Sequence, residues 1–426
     1  MTISQDNNDL QSVQRALQTL NRTAEQYHAA STGKTATGND VQSLSAKRAA
    51  RTALVLEAFR FLQIAQGPVD AAATCYEKTA HLGSVRALLE LGVFEALPLD
   101  RSPCTTGQLA DRLGADESLL ARLMRNTALY GPFEETGPGT YRHTPFSLVY
   151  LRPEVRGMFR FAMDDHMPAH LKLHEFLRQN NWNEPSSTSN NPYTHAHGTD
   201  GKSMFQHLSA RPERMEAFNN GMTLQAMTSI WMIDLFPFQE VFSSLHKGDG
   251  STALAVDIGG GKGKAISRIR GLSSGGGGEV SGRFILQDQD HVIASLDRSS
   301  PYLKGIEPMA YDFFTEQPVQ GAIVYLIRRC LHNWPEESVI RILGNTKRAM
   351  KANARHSRLL IEEIIVPERG SGIEEGWMDL IMMSLGAKQR TLKEWQAVLE
   401  KAGLDLTGLY QLPGDPHGLI EAQVRE

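Results

Sequence analysis

Residues 253–264 read ALAVDIGGGKGK, an apolar run that ends in a cluster of glycines. The run predicts a buried β-strand, and Gly259, Gly261 and Gly263 let the chain turn sharply and approach a ligand without a side-chain clash. The helix predicted next, KAISRIRGL, presents free N–H groups at its start. Such a turn suits NAD, FAD or S-adenosylmethionine, or a purely structural bend, and it lacks the GxxxxGK[ST] order of a phosphate-binding loop.

Further apolar runs alternate with helical segments on the C-terminal side of this stretch. The runs are RFILQD, GAIVYLI and RLLIEEIIV, and the helical segments are DHVIASLD, ESVIRILGNTKRAM and TLKEWQAVLEKAG. This alternation is typical of a doubly wound α/β sheet. Residues 246–426 are therefore predicted to be a Rossmann-like domain, with the glycine-rich tract 273–282 as a surface loop.

Two carboxylates strengthen the nucleoside interpretation. Asp288 ends the second predicted strand, where its carboxylate can accept hydrogen bonds from both ribose hydroxyls. Tyr311, Asp312 and Phe313 precede another strand, and they place a carboxylate and an aromatic face where adenine can be bonded and stacked. We expect both groups at the edge of the sheet that carries the glycine turn.

The N-terminal part of the chain is predicted to be helical. Residues 1–50 are expected to be an extension in which a short helix precedes a loop or mobile linker, HAASTGKTATGNDVQSLS. A second helix should run from Ala49 to about Gly67. Residues 51–150 contain TTGQLADRLGA, DESLLARLMRNTALYG and PFEETGPGTYRHT, two helices and a hairpin in winged-helix order. The second helix carries as many acidic as basic residues, so this domain is predicted to support dimerisation rather than DNA binding.

Residues 151–245 are expected to be all-helical and rich in methionine and aromatic residues, apart from an exposed polar loop over 180–201. Such side chains at helical spacing form ordinary core or a plastic apolar substrate pocket. The candidate pocket residues are Met163, His166, His170, Met222 and Trp231, together with Asn333 and Met383. His166, His170 and His174 share one helical face, but the HExxH order is absent, so a hydrogen-bonding or solvated role is preferred to a metal site.

Composition limits the class of protein. The chain has 426 residues and a formal net charge of −4, which predicts two folded units and no positive field for nucleic acid or an anionic membrane. Cys75, Cys104 and Cys330 are widely spaced, which indicates neither a disulfide framework nor a zinc–thiolate site. The sequence has no secretory pattern and no stretch of roughly 18 apolar residues that would span a membrane. We therefore expect a cytoplasmic protein.

Several segments resemble S-adenosylmethionine-dependent O-methyltransferases of the caffeate or plant-phenol type and their fungal relatives. These segments are VDIGGGKG, LQDQDHVI, YDFF, VYLIRRCLHNWPEESVIRIL, LLIEEIIVPE and GAKQRTLKEWQAVLEKAGL. The resemblance covers roughly residues 70–420. It implies a mainly α winged-helix dimerisation domain, an α/β Rossmann-like methyltransferase domain, a homodimer, a small-molecule substrate and no metal.

The resemblance also assigns roles to individual residues. His332 is implied to be the general base, and Glu363 to be the carboxylate that orients it. The residues implied to contact S-adenosylmethionine are Asp257, Gly259, Gly261, Asp288, Asp312, Phe313 and Arg328. An imidazole can take the proton of a phenol or enol, which is a poor nucleophile until it is ionised.

The sequence departs from this family beside the base. Asn333 replaces an acid after the histidine, and Gln389 replaces a glutamate that would complete the catalytic set with His332 and Glu363. A neutral amide stabilises an imidazolium less than a carboxylate does. Two hypotheses therefore stay open: O-methylation of an aromatic or enolic hydroxyl of a secondary metabolite, or a pericyclase or dehydratase that binds S-adenosylmethionine without transferring its methyl group.

Overall fold

The computed structural model describes residues 3–32, 41–228, 231–245, 250–273 and 281–425. The helices are α1 (Ile3–Thr32), α2 (Val41–Leu91), α3 (Val93–Ala96), α4 (Thr106–Leu113), α5 (Glu117–Tyr130), α6 (Pro145–Leu148), α7 (Pro153–Phe161), α8 (Met167–Leu171), α9 (Leu173–Gln179), α10 (Pro192–His197), α11 (Met204–Ser209), α12 (Pro212–Thr228), α13 (Phe238–Leu245), α14 (Lys264–Ser273), α15 (Asp290–Ala294), α16 (Glu336–Met350), α17 (Ile373–Ser384) and α18 (Leu392–Ala402). The strands are β1 (Cys104–Thr105), β2 (Phe133–Gly137), β3 (Thr140–His143), β4 (Ala253–Ile258), β5 (Arg283–Asp288), β6 (Glu307–Ala310), β7 (Val324–Arg328), β8 (Arg358–Val366), β9 (Arg390–Thr391), β10 (Leu404–Gln411) and β11 (His417–Val424).

The described residues divide between two compact units. The first unit comprises Met1–Asn21, Glu57–Asn180 and Pro192–Ser229. The second comprises Arg22–Leu56, Asn181–Asn191 and Ile230–Glu426. The predicted boundaries at residues 50, 150 and 245 stay predictions, because these units are built from discontinuous segments.

The second unit is a three-layer α/β structure around one sheet. Its strand order is β10-β11-β8-β7-β4-β5-β6, with β9 paired to β8. Strands β8, β7, β4, β5 and β6 are parallel, whereas β11 pairs antiparallel with both β8 and β10. The predicted Rossmann-like core is confirmed, and the β10–β11 hairpin adds an antiparallel edge that the sequence analysis did not anticipate.

Alternation along the central strands produces the two apolar layers. In β7, Tyr325 and Ile327 pack in the cluster that contains Trp395 of α18, whereas Leu326 packs in the cluster that contains Phe242 of α13. Successive side chains of a strand point to opposite faces, so both faces of these buried central strands must be apolar. The helices predicted from their 3.6-residue periodicity cover these two faces.

The winged-helix prediction is confirmed in the first unit. Helix α4 begins with a capping box in which Thr105 accepts a hydrogen bond from the Gln108 amide and the Gln108 side chain accepts one from Thr105. The helix ends at Gly114, whose left-handed φ of 64° suits glycine. Helix α5 is capped by Asp116, and the hairpin β2–β3 follows, with β1 paired to β3.

The polar stretch 180–201 was predicted to be a long exposed loop, which holds for the irregular and mostly exposed residues 181–190 but is wrong for the residues that follow them. Residues 192–197 form α10, and Asn191 and Tyr193 are 1% and 0% exposed. The Tyr193 hydroxyl donates to the Asp165 carboxylate at 2.9 Å, and the Asn191 amide donates to the Ser187 carbonyl oxygen at 2.9 Å. These polar side chains are buried and hydrogen-bonded, so this part of the segment has the composition of a loop although it lies inside the fold.

The N-terminal linker was also predicted too long. Helix α1 continues to Thr32 and α2 starts at Val41, so the ends of HAASTGKTATGNDVQSLS are helical, while residues 33–40 lie outside the described residues. The alanine-rich sequence on both sides favours helix. The predicted break near Gly67 is confirmed, because Gly67 has a φ of 75° within α2 and Pro68 follows it. Of the tract 273–282, residues 274–280 lie outside the described part of the chain.

Candidate active site

The glycine turn lies between β4 and α14, at the carboxyl edge of the parallel strands. Gly259, Gly261 and Gly263 have φ values of 72°, 58° and 78°, the left-handed region that glycine adopts without strain. The amides of Gly259 and Gly260 donate to the Gln287 carbonyl oxygen at 2.8 and 3.1 Å, which ties the turn to β5. An ideal Cβ on Gly261 would meet no atom within 4 Å, so the backbone is open to an approaching ligand there.

Asp288 ends β5, as predicted, and Asp312 follows the end of the neighbouring β6, a strand that was not predicted. Asp288 Oδ2 accepts the Gly261 amide at 2.8 Å, which links the turn to the end of β5. The Tyr311 amide donates to the Asp288 carbonyl oxygen at 2.8 Å and so places Asp312 directly after this edge. Phe313 is half-buried, and its ring meets that of Trp334 edge-on at 5.8 Å.

Arg328 and Asp257 bring buried polar atoms to the same edge of the sheet. Asp257 is 1% exposed, and neither carboxylate oxygen has a hydrogen-bond partner of ordinary geometry among the described residues. Burial raises the pKa of Asp257 to about 7, although the Arg328 cation opposes this shift. Arg328 Nη2 is buried and likewise lacks a partner within the described part of the chain. This acceptor and donor fit a ligand with a charged amino-acid end, such as S-adenosylmethionine.

His332 and Glu363 form the most tightly defined pair of the site. His332 lies in a short 3₁₀ turn after β7, and its Nδ1 is 2.5 Å from Glu363 Oε2. Glu363 Oε1 accepts the amides of Cys330, Leu331 and His332 at 2.9, 3.0 and 3.3 Å. Burial opposes ionisation of Glu363, but His332, Arg329 and the backbone amides outweigh it and hold the pKa of Glu363 below its usual value. The carboxylate thus orients both the imidazole and its backbone.

Gln389 completes the predicted catalytic set in space. Its side-chain nitrogen is 3.4 Å from His332 Nδ1, and its backbone amide donates to Asp379 Oδ1 at 2.9 Å. An ionised carboxylate 2.5 Å from Nδ1 favours the tautomer that carries the ring proton on Nδ1 and leaves Nε2 as the basic nitrogen. Gln389 Oε1 is buried without a partner among the described residues, and rotation of the amide would turn this acceptor towards the Nδ1 proton.

The predicted pocket residues are distributed over both units. Met163, His166, His170 and Met222 belong to the first unit; Trp231, Asn333 and Met383 belong to the second. All are half-buried except His166, which is buried. Trp231 stacks on Arg328, with the guanidinium carbon 4.0 Å from the ring centroid. Their proposed contact with substrate stays a prediction.

Two features that are typical of functional sites were not predicted from the sequence: a buried ion pair and a π-helical turn. Glu362 is 0% exposed and forms an ion pair with Arg328. The sequence signal for this pair was the occurrence of two adjacent glutamates, Glu362-Glu363, and two adjacent arginines, Arg328-Arg329, in neighbouring apolar runs. In the first unit, Ala162–His166 forms a π-helical turn that buries Asp165 against Tyr193 and Arg214. Such turns are frequent at functional sites, but they have no simple sequence signature.

The neighbourhood of His166 is apolar enough to keep its ring neutral. Burial first, and then the nearby His170 and His197, lower the pKa of His166 to about 3. Over the described ranges there is no group of three or more His, Cys, Asp or Glu residues arranged to bind a metal ion. In the same ranges, every helix is too short or too polar to cross a membrane.

A family model described as an O-methyltransferase domain matches residues 179–405, and one described as an O-methyltransferase dimerisation domain matches residues 80–153. The O-methyltransferase kntB of Aspergillus niger (strain ATCC MYA-4892 / CBS 513.88 / FGSC A1513) is 62% identical to this chain over 425 residues. The alignment covers 100% of both chains.

Solved structures show the same fold. OxaC in complex with SAH and oxaline has a TM-score of 0.84 at 35% identity, with 98% of this chain and 100% of that chain covered. OxaC in complex with sinefungin and meleagrin has a TM-score of 0.79, with 96% and 99% covered. A structure described as a pericyclic reaction enzyme has a TM-score of 0.77 at 27% identity, with 98% and 100% covered. The chain therefore belongs to the O-methyltransferase family that combines a dimerisation domain with an S-adenosylmethionine-dependent catalytic domain.

Proposed function

We propose that this enzyme methylates an aromatic or enolic hydroxyl of a secondary metabolite, with His332 as general base. The observation that carries the proposal is the 2.5 Å contact between His332 Nδ1 and Glu363 Oε2. It supports a ring whose other nitrogen, Nε2, is free to take the acceptor's proton. A hydroxyl oxygen becomes an effective nucleophile as that proton leaves.

We assign the cofactor contacts to the residues at the carboxyl edge of the sheet. Asp288 suits the ribose hydroxyls, Asp312 and Phe313 suit the adenine, and Asp257 and Arg328 suit the amino-acid end. Bound S-adenosylmethionine supplies the methyl group from its sulfonium. The glycine turn contributes close backbone approach, since side chains at Gly259 and Gly261 would be strained by their positive φ.

Glu363 has two roles in this scheme. It keeps the proton on Nδ1 while the imidazole is neutral, and it stabilises the positive charge when Nε2 accepts a proton. Because its other oxygen binds three backbone amides, the carboxylate and ring move as one unit. This arrangement holds the base in one orientation without help from the acceptor.

The test is transfer of a labelled methyl group. The full chain would be incubated with methyl-deuterated S-adenosylmethionine and a panel that begins with meleagrin, which OxaC binds, and caffeate. We expect a labelled product and an equal amount of S-adenosylhomocysteine, and a loss of at least about 100-fold in His332→Ala. His332→Ala should still bind S-adenosylhomocysteine. Unimpaired methylation by this variant would contradict its role as base.

A second candidate activity is a pericyclic or dehydration reaction that leaves the cofactor intact. It is favoured by Gln389, a neutral side chain 3.4 Å from His332 Nδ1 that cannot share the positive charge of an imidazolium. Product formation at unchanged mass, or with loss of water, while S-adenosylmethionine is recovered intact would select this candidate. Label in the product would reject it.

We also propose that the protein is a cytoplasmic homodimer. The first unit exposes large apolar side chains around the matched dimerisation domain: Val69, Tyr76, Leu129 and Phe146 are 78%, 80%, 74% and 73% exposed. Exposed apolar surface of this extent is typical of interfaces. Light scattering should give twice the chain mass of 47.2 kDa. Cys75, Cys104 and Cys330 are free thiols, consistent with a reducing compartment, which fractionation can check.

We further propose that Met163, His166, His170 and Met222 contact the acceptor. Met163, His170 and Met222 are half-buried, and Nδ1 of the buried His166 has no partner in the described part of the first unit. The test is the KM for the acceptor substrate in the variants Met222→Ala and His170→Ala. This KM should rise, while the affinity for S-adenosylhomocysteine should not change.

A further inference from the structure

Two adjacent glutamates of β8 serve opposite faces of the sheet. Glu362 and Glu363 are both fully buried, and successive strand residues point in opposite directions. Glu363 faces the turn that contains His332. Glu362 instead accepts Arg328 Nε at 2.7 Å through Oε1 and the Ile233 amide at 3.3 Å through Oε2. The catalytic scheme proposed above uses Glu363 and leaves Glu362 without a role.

The Arg328 guanidinium is restrained from two sides. Arg328 and Glu362 are direct partners in the register of β7 and β8, so the strand pairing itself brings them together. The indole of Trp231 covers one face of the guanidinium, with its ring centroid 4.0 Å from Cζ. Its Nη2 is buried and has no partner among the described residues. A buried donor of this kind is costly unless an acceptor reaches it.

Arg328 also lies next to the glycine turn. Ile327 pairs with Ile258 on β4, so Arg328 is level with the residue where the turn starts, Gly259. Its charge acts on Asp257, the fully buried carboxylate of β4 that makes no hydrogen bond of ordinary geometry in the described structure. Arg328 therefore lies between two carboxylates, and only Glu362 binds it. If Glu362 lost its charge, Asp257 would become the stronger partner.

From these contacts we propose that Glu362 is a positioning residue: it holds Arg328 away from Asp257, so that Nη2 is presented to the carboxylate of the bound cofactor. The inference rests on the proposed function, since it takes S-adenosylmethionine as the ligand. Its consequence is specific. Loss of the Glu362 charge should let Arg328 pair with Asp257 and should weaken only ligands that carry the amino-acid end.

The test compares two probes that differ in that end. Dissociation constants of S-adenosylhomocysteine and of 5′-methylthioadenosine, which has the nucleoside but no carboxylate, would be measured by calorimetry for wild type and Glu362→Gln. The matched control is Glu421→Gln, which removes another buried carboxylate of the same sheet, paired with Arg358 at 2.9 Å. Glu362→Gln keeps the size of the side chain, and circular dichroism would check that each variant is folded.

We expect Glu362→Gln to weaken S-adenosylhomocysteine about tenfold, as for loss of a hydrogen bond to a charged group, and to change methylthioadenosine by less than about twofold. Glu421→Gln should change neither probe. Parallel weakening of both probes would indicate a merely structural role and overturn the inference, as would unchanged binding in folded Glu362→Gln. If wild type bound no S-adenosylhomocysteine, the proposed function itself would fail.

Discussion

Glu363 holds the imidazole of His332 with one carboxylate oxygen and the backbone of the same turn with the other. The ring contact is 2.5 Å, and the three backbone contacts range from 2.9 to 3.3 Å. The imidazole and the carboxylate thus belong to one connected turn, although 31 positions separate the two residues in the sequence. This relationship makes the catalytic predictions specific.

The first prediction concerns Glu363→Gln. The variant should lower kcat for methyl transfer about 100-fold, because an amide neither sets the tautomer of His332 nor stabilises its charged form. The KM for S-adenosylmethionine should change by less than about threefold. Glu307→Gln, which removes a surface ion pair with Arg283, is the control and should leave both constants unchanged. A rise in KM without a fall in kcat would contradict this assignment.

The second prediction concerns Gln389→Glu. A second carboxylate beside His332 should favour the protonated ring, so the acid limb of the kcat/KM profile should move to higher pH by about one unit. The control is Gln396→Glu, an exposed position of α18 that gains the same charge away from the ring. Identical pH profiles for wild type and Gln389→Glu would show that residue 389 does not act on the base.

The third prediction follows from the buried Asp257. Its folded pKa of about 7 is above the ordinary value of 3.8, so the folded chain binds more protons than the unfolded chain between these values. Stability should therefore fall as pH rises through this window. Asp257→Asn has no carboxyl group to titrate, so its stability does not change through this window. Without cofactor, the unfolding temperature of the variant minus that of wild type should be higher at pH 8 than at pH 5 by about 4 °C or more. Parallel curves would contradict the raised pKa.

The fourth prediction separates two neighbouring glycines. A Cβ on Gly260 would lie 2.4 Å from Asp257 Oδ2 and 2.5 Å from Leu286 Cδ1, whereas one on Gly261 would meet nothing within 4 Å. Gly260→Ala should therefore lower the unfolding temperature by about 5 °C more than Gly261→Ala, whose cost is about 1 kcal/mol of backbone strain. Equal losses, measured without cofactor, would show that the turn relaxes around the added methyl group.

Local pattern was sufficient for the elements that build the sheet. Apolar runs predicted β4, β5, β7 and β8, and glycines after β4 marked the turn, because these preferences act between near neighbours in sequence. The β10–β11 hairpin was missed, although Pro413, Gly414 and Pro416 separate two alternating segments. In the second half of the polar stretch 180–201, composition was misleading because Asn191 and Tyr193 find their partners within the fold.

The sequence by itself therefore determined the α/β class, the glycine turn and, through family resemblance, the residues around His332. Only the tertiary structure decided which buried carboxylate pairs with Arg328 and which one pairs with His332. Strand order places β7 between β4 and β8, which brings Arg328 between Asp257 and Glu362 and leaves Glu363 to His332 on the other face. Pairing of strands is a long-range choice made by burial and hydrogen bonding of the whole sheet, so no local pattern contains it.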